Sequence, residues 1–182
     1  MLGKIEFIKY LILGVAAVAT LTDLFFGKIY NWITVPTAVG GILASYYFLG
    51  WAGVGQSLLG LAVGMLLYGW LFGLRVMGGG DVKLLMALGA WAGPEYTAEV
   101  ALLGILIGGA FAFVMLMVTG RLPGFIRRLH KFILTVFIKE LEVEMPKVDK
   151  AFTMPFGIPL SIASVWVAFA NPFLHFTGLW PR

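Results

Sequence analysis

Long apolar runs, broken by short clusters of charge, glycine or proline, dominate the pattern of this chain. A helix that crosses a bilayer needs about 20 mostly apolar residues. Six segments meet or approach that length: Ile5 to Leu24, Trp32 to Leu49, Val54 to Val76, Asp81 to Gly93, Thr97 to Val118 and Phe152 to Phe173. The fourth ends before Pro94 and is short, so it spans only if it is buried among its neighbours or extended at its ends. The first apolar run is too long for a cleaved signal peptide. It ends in Thr22-Asp23 rather than at a small-residue cleavage site, and reads as a retained helix.

The stretch from Arg121 to Lys150 is the one sizeable polar region. Phe125, Ile126, Leu129, Phe132, Ile133, Val136 and Phe137 fall on one helical face. Arg127, Arg128, His130, Lys131 and Lys139 fall elsewhere, as expected of a helix lying in the lipid interface. From Glu140 to Met145 polar and apolar residues alternate with period two, which predicts a short extended segment. The expected fold is therefore all-α: one polytopic domain over residues 1–182, a bundle of six transmembrane helices. A cytoplasmic loop at about 120–150 carries the amphipathic helix between the fifth and sixth.

Composition supports this picture. Hydrophobic residues make up 60% and charged residues 12% of the chain, against roughly half and about a quarter in a soluble domain. A water-soluble fold is excluded. There is no cysteine, which removes disulfides, thiolate zinc sites and a cysteine nucleophile. The net charge of +4 is modest, and the clustering of its basic residues suits an anionic membrane surface, not nucleic acid. With the N-terminus outside and six crossings, ten of the thirteen Lys and Arg fall on one side, and Lys4, Lys9 and Arg182 on the other. Basic residues favour the cytoplasmic side, so both termini face outward. Many of the 24 glycines lie inside the predicted spans, where they allow helices to approach closely.

Acids inside or at the edge of a membrane bundle are costly and point to function. Glu6, Glu95, Glu140, Glu142, Glu144 and Asp149 are assigned to tails or loops, and Glu99 lies near the start of the fifth run, leaving Asp23 and Asp81 as the candidates. Taken alone, Asp23 is an interfacial or capping residue at the end of an apolar helix. Asp81, after Gly78, Gly79 and Gly80, reads as an N-cap. Taken together, the predicted topology sets both at the same depth on the same side. Two carboxylates sharing one proton can activate a water against a peptide carbonyl. One acts as general base; the other polarises the carbonyl and then protonates the leaving amine. The three glycines permit close approach of an extended substrate.

Gly78-x-Gly80-Asp81, followed by Lys83, resembles the GxGD signature of the aspartyl proteases of that name, specifically the type IV prepilin peptidase family. Asp23, followed by Ile29-Tyr30-Asn31, resembles that family's first-aspartate motif, and Pro155-Phe-Gly-Ile-Pro159 the start of its last helix. The resemblance implies cleavage of the short basic leader of prepilin-like, pseudopilin or preflagellin subunits at the cytoplasmic face of the inner membrane. It places catalytic roles on Asp23 and Asp81, and positioning or substrate contact on Gly78, Gly79, Gly80, Lys83 and Asn31. No metal and no cofactor are expected; membrane lipid and a prepilin-like protein are the expected partners. Bifunctional members carry paired Cys-x-x-Cys motifs and methylate the new N-terminus. With no cysteine and no room before the first span, the expectation here is the peptidase-only form. Tyr30 departs from the Pro that many relatives have there.

Three other readings compete. In one, the same two aspartates form a proton or cation relay in a small transporter, although the paired broken helices of repeated halves are not evident. In another, the chain is a structural membrane subunit. In the third the two aspartates hold Mg²⁺, for which two ligands are few.

Overall fold

The computed structural model describes residues 2–74, 77–127 and 156–170. Its principal elements are all helices: α1 (Leu2–Phe26), α2 (Asn31–Gly73), α3 (Gly79–Val118) and α4 (Gly157–Ala170). The first three are long and apolar enough to cross a membrane. Of their most apolar stretches, only 28%, 22% and 22% is buried inside the protein. Tyr47, Trp51 and Leu66 are 83%, 79% and 72% exposed. By contrast, α2 buries mainly small and polar positions: Thr34, Gly41, Gly53, Ser57, Gly60 and Gly64. Water would favour the reverse arrangement. Apolar side chains facing outward and small residues between helices are what lipid favours.

Glycines bend α2 and α3 where no other residue would do so cheaply. Gly50 has φ 63° and Gly93 φ 87°, left-handed values that cost an L side chain strain. The bends reverse the chain. A Cβ at Gly41 would lie 2.8 Å from the Ala90 carbonyl carbon, and one at Gly60 2.7 Å from that of Gly89. Along a straight helix Gly41 and Gly60 would stand about 28 Å apart, so α2 folds back on itself to bring both against one stretch of α3. Likewise Met86 packs on Gly64 while the Ala101 carbonyl accepts from the Tyr68 hydroxyl at 3.0 Å. Two contacts one turn apart on α2 therefore reach residues on opposite sides of the α3 bend.

Pro94 follows that bend and has no N–H, which deprives the Ala90 carbonyl of its helical donor. The Ser57 hydroxyl supplies one, at 2.7 Å. A buried backbone group in lipid has no water to turn to, which accounts for a fully buried serine in an apolar helix.

The short stretch before the bend meets the condition its length imposes. Leu84, Leu85, Ala87, Leu88 and Ala90 are all fully buried. Around them, Ile8, Ile12 and Ala19 of α1 join Leu160, Ala163 and Val167 of α4 in one core. The Tyr96 hydroxyl ties α3 to α4 by donating to the Ser164 carbonyl at 2.8 Å.

Residues Gly109–Met154 form a separate compact unit. Among its described residues, α3 ends in a Schellman motif. Gly120 has φ 66°, its N–H donates to the Met117 carbonyl at 3.1 Å, and the Arg121 N–H donates to that of Leu116 at 3.1 Å. A helical turn follows at 122–127, with Phe125 and Ile126 exposed. The rest of the expected interfacial helix, the extended segment at Glu140 to Met145 and both ends of the sixth apolar run lie outside the described residues. One assignment needs correcting: Glu6 and Glu95, expected in tails or loops, both lie within helices.

Candidate active site

At the end of α1, Gly27 adopts φ 61° and its N–H donates to the Asp23 carbonyl at 2.8 Å. This left-handed cap stops the helix one turn after Asp23, and Tyr30 leads directly into α2. Between them Ile29 is buried and lies against the glycine loop: a Cβ on Gly80 would sit 3.0 Å from the Ile29 Cβ. The segment after the first aspartate thus packs on the segment before the second.

Asp81 is the third residue of α3, in its first turn, and not the residue preceding the helix as the capping reading expects. Its N–H donates to the Gly78 carbonyl at 3.2 Å. Its carboxylate folds back toward Gly78, where a Cβ would stand 3.0 Å from Oδ2. At the helix N-terminus the uncompensated N–H groups favour negative charge.

Both aspartates are buried, Asp23 at 7% and Asp81 at 6% exposure, yet both line one cleft of about 380 Å³. Gly27 to Asn31 form one wall and Gly78 to Gly80 the other. Lys28 is the one cationic residue among the described lining. Gly78, Gly79, Gly80 and Asn31 are therefore brought together with the two acids. Lys83 is exposed and does not line the cleft; its Nζ donates to Asn31 Oδ1 at 2.9 Å, fastening the first turn of α3 to the first residue of α2. Among the described residues no group of three or more His, Cys, Asp or Glu gathers to hold a metal ion.

Gly157 is a site residue that sequence reasoning missed. Its backbone N–H, at the start of α4, donates to Asp23 Oδ2 at 2.9 Å. The only sequence signal was the proline-flanked Pro155-Phe-Gly-Ile-Pro159, which marks a helix start but not what that start faces. Tyr68 was missed as well. Fully buried, it packs edge-on against Phe156 at 6.0 Å, the residue before Gly157.

Two carboxylates in one cleft, walled largely by backbone and set in an apolar bundle, can hold a water and pass its proton. The cleft volume exceeds that of one water, about 30 Å³, by enough to admit a length of peptide main chain.

Comparison with known proteins agrees in kind. Residues 10–113 match the type IV leader peptidase family. A prepilin leader peptidase/N-methyltransferase of Xanthomonas campestris pv. campestris is 32% identical over 136 residues, covering 68% of this chain and 38% of that protein. One of Aeromonas salmonicida is 37% identical over 93 residues, covering 47% of this chain and 31% of its own length. The chain thus spans well under half the length of these relatives. No solved structure matches it.

Proposed function

With more than half of its length matched, this chain belongs to the type IV leader peptidase family, and from that premise we propose that it is an aspartyl endopeptidase using Asp23 and Asp81. Its substrates are prepilin-like proteins, cut between a short basic leader and the mature chain. The observation that carries the proposal is the burial of two aspartates, distant in sequence, in the walls of one cleft. One carboxylate takes a proton from the attacking water. The other, protonated, donates to the scissile carbonyl and then passes its proton to the leaving amine. The shared proton belongs to the pair. The glycine wall leaves main chain free to pair with an extended substrate.

In this reading the chain crosses the inner membrane six times and the cleft faces the cytoplasm. The dimensions support it: residues 31–49 would rise about 28 Å, close to the roughly 30 Å of hydrocarbon. With six crossings, the excess of Lys and Arg on the side of both aspartates supports this orientation. The proposal covers leader cleavage alone. Family membership does not favour the ion-relay alternative.

The test is cleavage in proteoliposomes of a prepilin with a basic leader, read by mass spectrometry of the products. A single cut at the leader junction supports the proposal. Intact substrate, together with pH-dependent ion flux through the same liposomes, would replace it with the relay.

A further inference from the structure

We infer that Gly157 is a positioning residue, whose backbone N–H fixes the carboxylate of Asp23 for catalysis; this rests on the peptidase reading. Asp23 lies in the last turn of α1, where helix carbonyls point toward it and disfavour a carboxylate. The opposing start of α4 offsets that. Gly157 is the first residue of α4, so its N–H has no partner within the helix, and it donates to Asp23 Oδ2 at 2.9 Å. Oδ2 is thereby held in place, with Oδ1 and the second lone pair of Oδ2 left for the water or the shared proton.

The position also excludes a side chain. A Cβ at residue 157 would stand 2.6 Å from Asp23 Oδ2, 3.0 Å from its Cγ and 3.0 Å from Ile29 Cδ1. The backbone φ here is not left-handed, so the glycine serves the approach of the carboxylate and not a turn. Hence α4 supplies a third element of the site without contributing an ionisable group: residues 157–170 contain none.

Three variants test this in a cleavage assay with purified protein. Gly157→Ala pushes the Asp23 carboxylate aside. It should lower kcat about 100-fold, the scale of a 1 Å misplacement, with KM changed less than about twofold. Adding Ile29→Val removes the Cδ1 contact but neither Asp23 contact, and should recover part of the lost thermal stability but not kcat. Gly157→glycolate, an ester at this one bond, deletes the N–H and adds no atoms. It should still fold, because the Gly157 N–H makes no helical bond and the one from the Leu160 N–H to the Phe156 carbonyl is weakened and not lost, and it should lower kcat at least about tenfold, the scale of one hydrogen bond to a charged group. Wild-type kcat in the ester variant, or kcat recovered with stability in Gly157→Ala/Ile29→Val, would overturn the inference. Should wild type itself fail to cleave, the peptidase reading fails. Should wild type cleave and Asp23→Asn not, while the ester keeps full activity, only the inference falls.

Discussion

Gly60→Ala and Gly55→Ala make the same chemical change five residues apart in α2, and the structure gives them opposite signs. At Gly60 the added Cβ would meet the Gly89 carbonyl oxygen, with the Gly89 and Gly93 carbonyl carbons at 2.7 and 3.0 Å. These are backbone atoms that cannot rotate away. Overpacking of this kind costs about 1–3 kcal/mol, offset by about 1 kcal/mol of helix propensity. At Gly55 nothing lies within 4 Å, so only the propensity gain remains. The propensity gain is common to both, so the two variants should differ by the overpacking cost, about 1–3 kcal/mol, or roughly 2–12 °C in Tm for a chain of this size. Thermal unfolding in detergent, followed by size-exclusion recovery, reads the difference. Gly89 lies about 12 Å along α3 from Asp81, so Gly60→Ala should also slow leader cleavage. A Gly60→Ala protein as stable as Gly55→Ala would refute the close crossing of α2 and α3, and with it the reversal at Gly50.

Other expectations follow from single contacts. Ser57→Ala leaves the Ala90 carbonyl without a donor, because Pro94 cannot supply one, and should cost about 1–3 kcal/mol in the same unfolding assay. Thr34 and Ser161, by contrast, bury hydroxyl oxygens that have no partner among the described residues; Thr34→Val and Ser161→Ala should be neutral or raise Tm. Asn31→Ala removes the acceptor of the exposed Lys83 and should lose only about 0.5 kcal/mol of stability, whereas Asn31→Asp keeps the acceptor and should hold wild-type Tm. Equal losses in both Asn31 variants would show that the Lys83 contact contributes nothing.

Much of this was legible along the chain because lipid makes strong demands on sequence. The break between the second and third apolar runs was placed just after Leu49, and the bend falls at Gly50. The break before Pro94 corresponds to Gly93. Both follow from local chemistry, a glycine or proline interrupting apolar helix. Asp23 and Asp81 stood out because so few acids interrupt the apolar runs. What stayed hidden depends on partners far apart in the chain. Nothing near Ser57 announces that it serves a carbonyl freed by Pro94, and nothing near Gly157 announces Asp23, 134 positions away. The start of α3 at Gly79, two residues before the expected Asp81, is a smaller and local miss: the hydrogen bond from Asp81 N–H to the Gly78 carbonyl carries the first turn back into the glycine run. The motif positions of Lys83 and Asn31 suggest local positioning and no more; that the two side chains bond each other, 52 positions apart, is visible only in the packing.

The most direct measurement is leader cleavage by detergent-solubilised protein, comparing wild type with Asp23→Asn and Asp81→Asn on one prepilin with a basic leader. The account predicts that wild type cuts and that both variants lose cleavage while keeping wild-type expression and Tm. Cleavage persisting in either variant would contradict the two-aspartate mechanism.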